Sequence, residues 1–153
     1  MDITAIREEL LHGRDPALRR RRTIATIAAF LAAEFALLGT RQYGVLRRLP
    51  DLPIRGFDAN AVTTSRAAYP LGIPDTSLAV IGCGALIALA TAGGTSGRSR
   101  WLDRGLAAGV AVGALGAVAY LGQMVKLKKI CAYCVIGAAG MLSLVPLLRG
   151  AKR

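Results

Sequence analysis

Apolar and polar positions alternate along this chain in long blocks. Residues 1–22 are polar and end in Arg19-Arg20-Arg21-Arg22. Residues 23–40 are then almost wholly apolar, with Glu34 the one charged residue. Further apolar runs follow at 76–94, 105–125 and 130–148, all three without a charge. A helix needs roughly 20 apolar residues to cross the hydrocarbon core of a bilayer. The pattern therefore predicts an all-α, integral membrane four-transmembrane-helix bundle. A basic flank before an apolar run also opens cleaved signals, but no small-residue cleavage pattern follows, and the run is long for a signal core. Residues 23–40 are accordingly expected to be an uncleaved first helix.

The boundaries follow from the punctuation. Residues 1–22 form a polar segment, partly helical. Residues 41–75 form the longest polar stretch between apolar runs, and Pro50, Pro53, Gly56, Pro70, Gly72 and Pro74 exclude a long helix there. A short helix fits over 60–69, with Asn60 as a candidate cap. A basic turn spans 93–104, and 149–153 form a basic tail. Gly105, Gly109 and Gly113 repeat at small-xxx-small spacing, which lets a neighbouring backbone come close. Packing within the bundle is the expected use of that stripe, ahead of dimerisation.

Composition supports the membrane reading. Of the 153 residues 54% are hydrophobic, while charged residues reach only 19% and sit between the apolar runs. The net charge of +11 would suggest nucleic acid in a soluble protein, but no basic stripe with interleaved aromatics is present. The termini and the 93–104 turn hold 12 Lys and Arg, and the opposite side holds 8. That bias puts both termini in the cytoplasm of a multi-pass protein of the inner or plasma membrane. The 41–75 loop and the start of the fourth run then face outward, where disulfides persist.

Candidate chemistry is concentrated in three cysteines, Cys83, Cys131 and Cys134. The last two form Cys131-Ala132-Tyr133-Cys134 at the outer start of the fourth run. Three apart near a helix start, they share a face and can bridge reversibly. A helix N-terminus and the neighbouring Lys128 and Lys129 favour a thiolate. A CxxC is also half of a zinc site, but zinc asks for about four ligands, His12 lies on the other side and Cys83 lies inside a span, so no metal is expected. Cys83 falls about 12 Å into its helix at 1.5 Å per residue. It reads as a small buried hydrophobe or as a contact of a redox pocket. Glu34 is costly inside an apolar span and is a candidate for proton uptake or for a pairing within the bundle.

These features together resemble the vitamin K epoxide reductase (VKOR) family. The resemblance rests on Ile130-Cys131-Ala132-Tyr133-Cys134-Val135, on the loop stretch Ala59-Asn60-Ala61-Val62-Thr63-Thr64-Ser65 against a family pattern Cys-x-x-Val-x-(Ser/Thr)-Ser, and on Gly72-Ile73-Pro74 leading into the second span. It covers residues 23–148. It implies a membrane thiol–disulfide oxidoreductase in which Cys131 and Cys134 are catalytic and pass electrons from a dithiol partner to a quinone, ubiquinone or menaquinone. Cys134, Ser65 and Val62 would lie beside the quinone. The partner would be a thioredoxin-like periplasmic or extracellular protein, in contact with Cys131. One departure stands out. The family's loop carries two relay cysteines, whereas this chain has Ala59 at one position and no cysteine between 41 and 75. Ala138 also stands where mammalian members place a tyrosine, which argues against vitamin K epoxide as substrate. Two readings therefore stay open, an oxidoreductase and a non-catalytic quinone-binding membrane protein. A transporter is disfavoured, since one buried acid and no repeat or broken helix pair give little polar pathway.

Overall fold

The computed structural model describes residues 3–92 and 98–149. Helix α1 covers Ile3–His12, α2 Pro16–Gln42, α3 Ala59–Thr63, α4 Asp75–Thr91, α5 Arg100–Leu127, α6 Ala132–Ser143 and α7 Val145–Arg149. Two 3-10 turns, Arg66–Ala68 and Pro70–Gly72, join α3 to α4. No named strand occurs among the described residues, so the all-α expectation holds. Helices α2 and α5, at 27 and 28 residues, are long and apolar enough to cross a bilayer, and α4 and α6–α7 are shorter apolar helices. Part of the 93–104 turn, residues 93–97, and most of the tail, 150–153, lie outside the described residues.

Local signals explain where the helices begin. The Asp15 carboxylate accepts from the amides of Ala17 at 2.7 Å and Leu18 at 3.4 Å, and Pro16 occupies the first turn. Both features favour a helix start. Hence α2 begins seven residues before the apolar run, and Arg19–Arg22 lie within it rather than flanking it. Arg21 turns inward: its Nε donates to the Ala90 carbonyl at 2.6 Å and its Nη2 to Ala92 at 3.0 Å. Arg98 adds bonds to Ala92 at 2.5 Å and Leu89 at 2.9 Å. The last carbonyls of α4 lack helical partners, and two guanidinium groups satisfy them. This end of the bundle is termed the arginine end, and the other the loop end.

Helices α2, α4, α5 and α6 pack around a core of Ile24, Ala28, Leu31, Leu86, Val110 and Leu144. The glycine stripe of α5 works inside this bundle. A methyl group at Gly109 would sit 2.9 Å from the Leu86 side chain, and one at Gly113 2.6 Å from the Met141 sulfur. The intramolecular use expected for the stripe is the one found. In the fourth apolar run α6 ends at its C-cap Leu144, which is fully buried. Pro146 lacks the amide that would bond the Leu142 carbonyl, so α7 continues the path as a separate short helix.

The loop folds back onto its end of the bundle. Its short helix starts one residue earlier than expected, because Asp58 caps it by accepting from the Ala61 amide at 2.9 Å. Asn60, the expected cap, is used elsewhere. Its Oδ1 accepts from the Leu49 amide at 2.8 Å and from Arg41 Nε at 3.2 Å, and its Nδ2 donates to the Leu49 carbonyl at 3.1 Å. One side chain thereby pins the loop's two limbs together.

Candidate functional site

The α5–α6 connection places the CxxC. Lys128 takes a left-handed conformation, φ 51°, that ends α5. Ile130 then forms a parallel bridge with Phe57 of the loop: its amide donates to Gly56 and its carbonyl accepts from Asp58, both at 2.9 Å. Lys129 Nζ pairs with Asp58 at 3.3 Å. The Ala61 amide and then Lys129 hold the Asp58 carboxyl below its ordinary range. Cys131 is extended and caps α6, its sulfur accepting from the Cys134 amide at 3.1 Å.

Cys131 and Cys134 are joined by a disulfide, with Cα atoms 5.2 Å apart. Their surroundings differ. Cys131 is 0% exposed, enclosed with Leu38, Leu49, Ala59, Val62 and Met124. The Tyr133 hydroxyl donates to the Pro50 carbonyl at 2.9 Å and holds the loop across this cluster. Cys134 instead lines a cavity of about 530 Å³ between α2, α4, α5 and α6.

That cavity is apolar along most of its length. Leu86, Leu89 and Met141 line it, and Gly82 and Gly116 leave space where a side chain would stand. It opens sideways between α4 and α5, where Leu78 and Val112, 48% and 69% exposed, stand at its wall. Its polar side groups gather at Thr63, Asp75, Thr76 and Tyr120. Gln42 organises them. Its Nε2 donates to Asp75 at 2.7 Å and to the carbonyls of Thr63 and Ala68, and its Oε1 accepts from Thr76 at 2.5 Å. Tyr120, from α5, lines the same cavity and interacts with the Asp75 carboxyl.

The residues singled out from sequence fall in three places. Cys134 and Cys83 both line the cavity, Cys83 fully buried and without a disulfide. Val62 packs in the cluster that holds both cysteines but does not reach the cavity wall, which its neighbour Thr63 does. Ser65 sits half-buried before the first 3-10 turn and also does not line the cavity. Glu34 lies beside Gly137 of α6, with both carboxyl oxygens buried and neither making a hydrogen bond of good geometry. Asp75, Thr76, Tyr120 and Gln42 were not singled out. Tyr120 did carry a signal, as a hydroxyl inside an uncharged run. Asp75 read only as the end of the loop.

Residues 23–148 match the model of the vitamin K epoxide reductase family. The chain belongs to that family. No curated protein matches the sequence closely enough to count as a relative. VKOR-family proteins are in general membrane oxidoreductases that use a quinone as electron acceptor. This chain's apolar helices agree with a place in the membrane. The cavity also suits such an acceptor. A flat ring with two oxygens and a long apolar tail needs one polar region and an apolar channel, and the walls supply both beside a redox-active type of residue pair.

Proposed function

We propose that this VKOR-family protein is a quinone-dependent thiol–disulfide oxidoreductase of the inner or plasma membrane. One observation carries the reading. Of the two bridged cysteines, Cys134 alone lines the apolar cavity, and the cavity's polar side chains gather at its end of the bundle. In this reading four segments cross the bilayer, α2, α4, α5 and α6–α7, with the loop end outward and the termini in the cytoplasm. Twenty basic residues divided 12 to 8 support that orientation.

The disulfide accepts two electrons from a thioredoxin-like dithiol protein. A partner thiolate attacks the Cys131 sulfur, freeing Cys134, and the partner's second thiol completes the exchange. Cys131 is sealed under the loop, so this step requires the loop to lift from Ile130. The Cys134 thiol then stands at the cavity wall, with Cys131 behind it to re-form the bridge. The quinone, ubiquinone or menaquinone, supplies a sink for two electrons and two protons. The packing of α2, α4, α5 and α6 keeps water from the thiol while this occurs. Val62 supports Cys131 and Cys134 from the loop side, and Ser65 sets the turn beyond Thr63.

The test is anaerobic. The purified protein is reduced, given ubiquinone or menaquinone, and its free thiols are counted. Loss of two of the three thiols is expected. Retention of all three, with Cys131→Ser behaving as wild type, would refute the enzyme. A second reading has its own support: no cysteine between 41 and 75 can relay electrons, and Cys131 is sealed. A protein that binds quinone without turnover would give saturable quinone binding with unchanged thiols.

A further inference from the structure

The cavity's polar side groups include a carboxyl, that of Asp75. Gln42 already ties the loop to the bundle through the carbonyls of Thr63 and Ala68, and Thr76 satisfies its oxygen. Asp75 adds an ionisable group at the first turn of α4, half-buried and on the cavity wall. Tyr120 reaches it from α5, on the other side of the cavity, and packs against the cluster that contains Cys131 and Cys134. Carboxyl and phenol thus interact at the wall of the cavity that also carries the reactive sulfur. Neither is used by the exchange chemistry above.

We propose that Asp75 and Tyr120 form a proton-delivery pair for the acceptor in this cavity, with Tyr120 donating to its ring oxygen and Asp75 reprotonating Tyr120. The proposal rests on the quinone reading. The overall reaction converts two thiols and a quinone into a disulfide and a hydroquinone. Two electrons pass from the sulfurs to the ring, two thiol protons leave, and two protons arrive at the ring oxygens. For one of these the Tyr120 O–H bond breaks as the ring O–H forms, while the protonated Asp75 carboxyl gives its proton to the Tyr120 oxygen. Asp75, at the half-exposed start of its helix, then regains a proton from the loop-end water, into which the thiol protons are released. Tyr120 is the catalytic residue in this scheme, and Asp75 a positioning and supplying residue that acts through it.

The experiment compares wild type, Asp75→Asn, Asp75→Glu and Tyr120→Phe in nanodiscs. Anaerobic thiol loss is followed after adding a short-chain ubiquinone. Equilibrium binding of the same quinone is measured separately in a redox-inert Cys131→Ser, Cys134→Ser background. Asp75→Asn and Tyr120→Phe are expected to slow thiol loss by at least about tenfold. Quinone affinity should stay within about twofold, a loss confined to the chemical step. Asp75→Glu should restore most of the rate. The infrared band of a protonated carboxyl, changing when quinone oxidises the thiols, should vanish in Asp75→Asn. Wild-type rates in Asp75→Asn would overturn the pair alone, as would rate and affinity falling together, which marks a purely structural role. No thiol loss in wild type would remove the quinone reading and this inference with it.

Discussion

The two ends of the bundle are held by different forces. At the arginine end, Ile24, Ala28, Leu31, Val110 and Leu144 meet through close contacts, with glycines where helices approach, and the charged groups there finish the C-terminus of α4. At the loop end the apolar cluster is smaller, and the chain is tied by polar side chains: Asn60 to Leu49, Gln42 to Asp75 and Thr76, Tyr133 to Pro50, Lys129 to Asp58. Packing resists deformation everywhere at once, whereas a few hydrogen bonds can release one at a time. The CxxC lies in the second kind of region, under a loop held by separate polar contacts.

The comparison can be broken most forcefully at the arginine end. Leu31→Ala, at a fully buried position, should cost about 2–4 kcal/mol of stability, read by thermal unfolding in detergent, while thiol reactivity of the folded protein stays as in wild type. Raised reactivity would mean that the two ends are not independent. Asn60→Ala should do the reverse. Losing the bonds to Leu49 and Arg41 should loosen the loop by about 1–2 kcal/mol. The disulfide should then be reduced by a soluble dithiol about tenfold faster, with little change in unfolding temperature. Gly116→Leu fills space on the cavity wall and should weaken quinone binding by about fivefold, near 1 kcal/mol, leaving dithiol reduction unaffected. The smallest effect concerns Asp58. Its carboxyl is held below its ordinary range, so its cap and its pairing with Lys129 are intact above the unfolded value near 4. They weaken as pH falls through the depressed folded value. Disulfide reduction, corrected for the dithiol's own ionisation, should therefore rise modestly on acidification, and Asp58→Asn should show this faster reduction at neutral pH.

Much of this was legible in the chain, and the reason is period and punctuation. Uncharged runs and basic clusters mark helices whatever they pack against, and Cys131 and Cys134 announce themselves by spacing. The start of α2 was legible too, in Asp15-Pro16, but the four arginines that follow look like a flank until Arg21 is seen to turn inward onto Ala90. Asn60 and Asp58 are equally good caps by type, and only the presence of Leu49 beside Asn60 decides between them. The pairing of Asp75 with Tyr120 is of a different kind. It joins residues 45 positions apart on two helices, and nothing local to either position encodes the contact. Val62 and Ser65 came from resemblance, and the neighbouring Thr63 is the residue of that stretch that reaches the cavity.

The sideways opening between α4 and α5 has a kinetic consequence. A hydrophobic acceptor dissolves in the bilayer and would reach Cys134 from within it, past Leu78 and Val112. Its effective concentration is then its mole fraction among lipids, whatever the volume of water around the membrane. Adding inert lipid at constant total quinone should slow thiol oxidation by surface dilution, and adding buffer should not. The dithiol partner would obey ordinary three-dimensional concentration. The protein would thus couple a solute of the aqueous phase to a solute of the membrane plane, with Cys131 facing the first once the loop lifts and Cys134 facing the second.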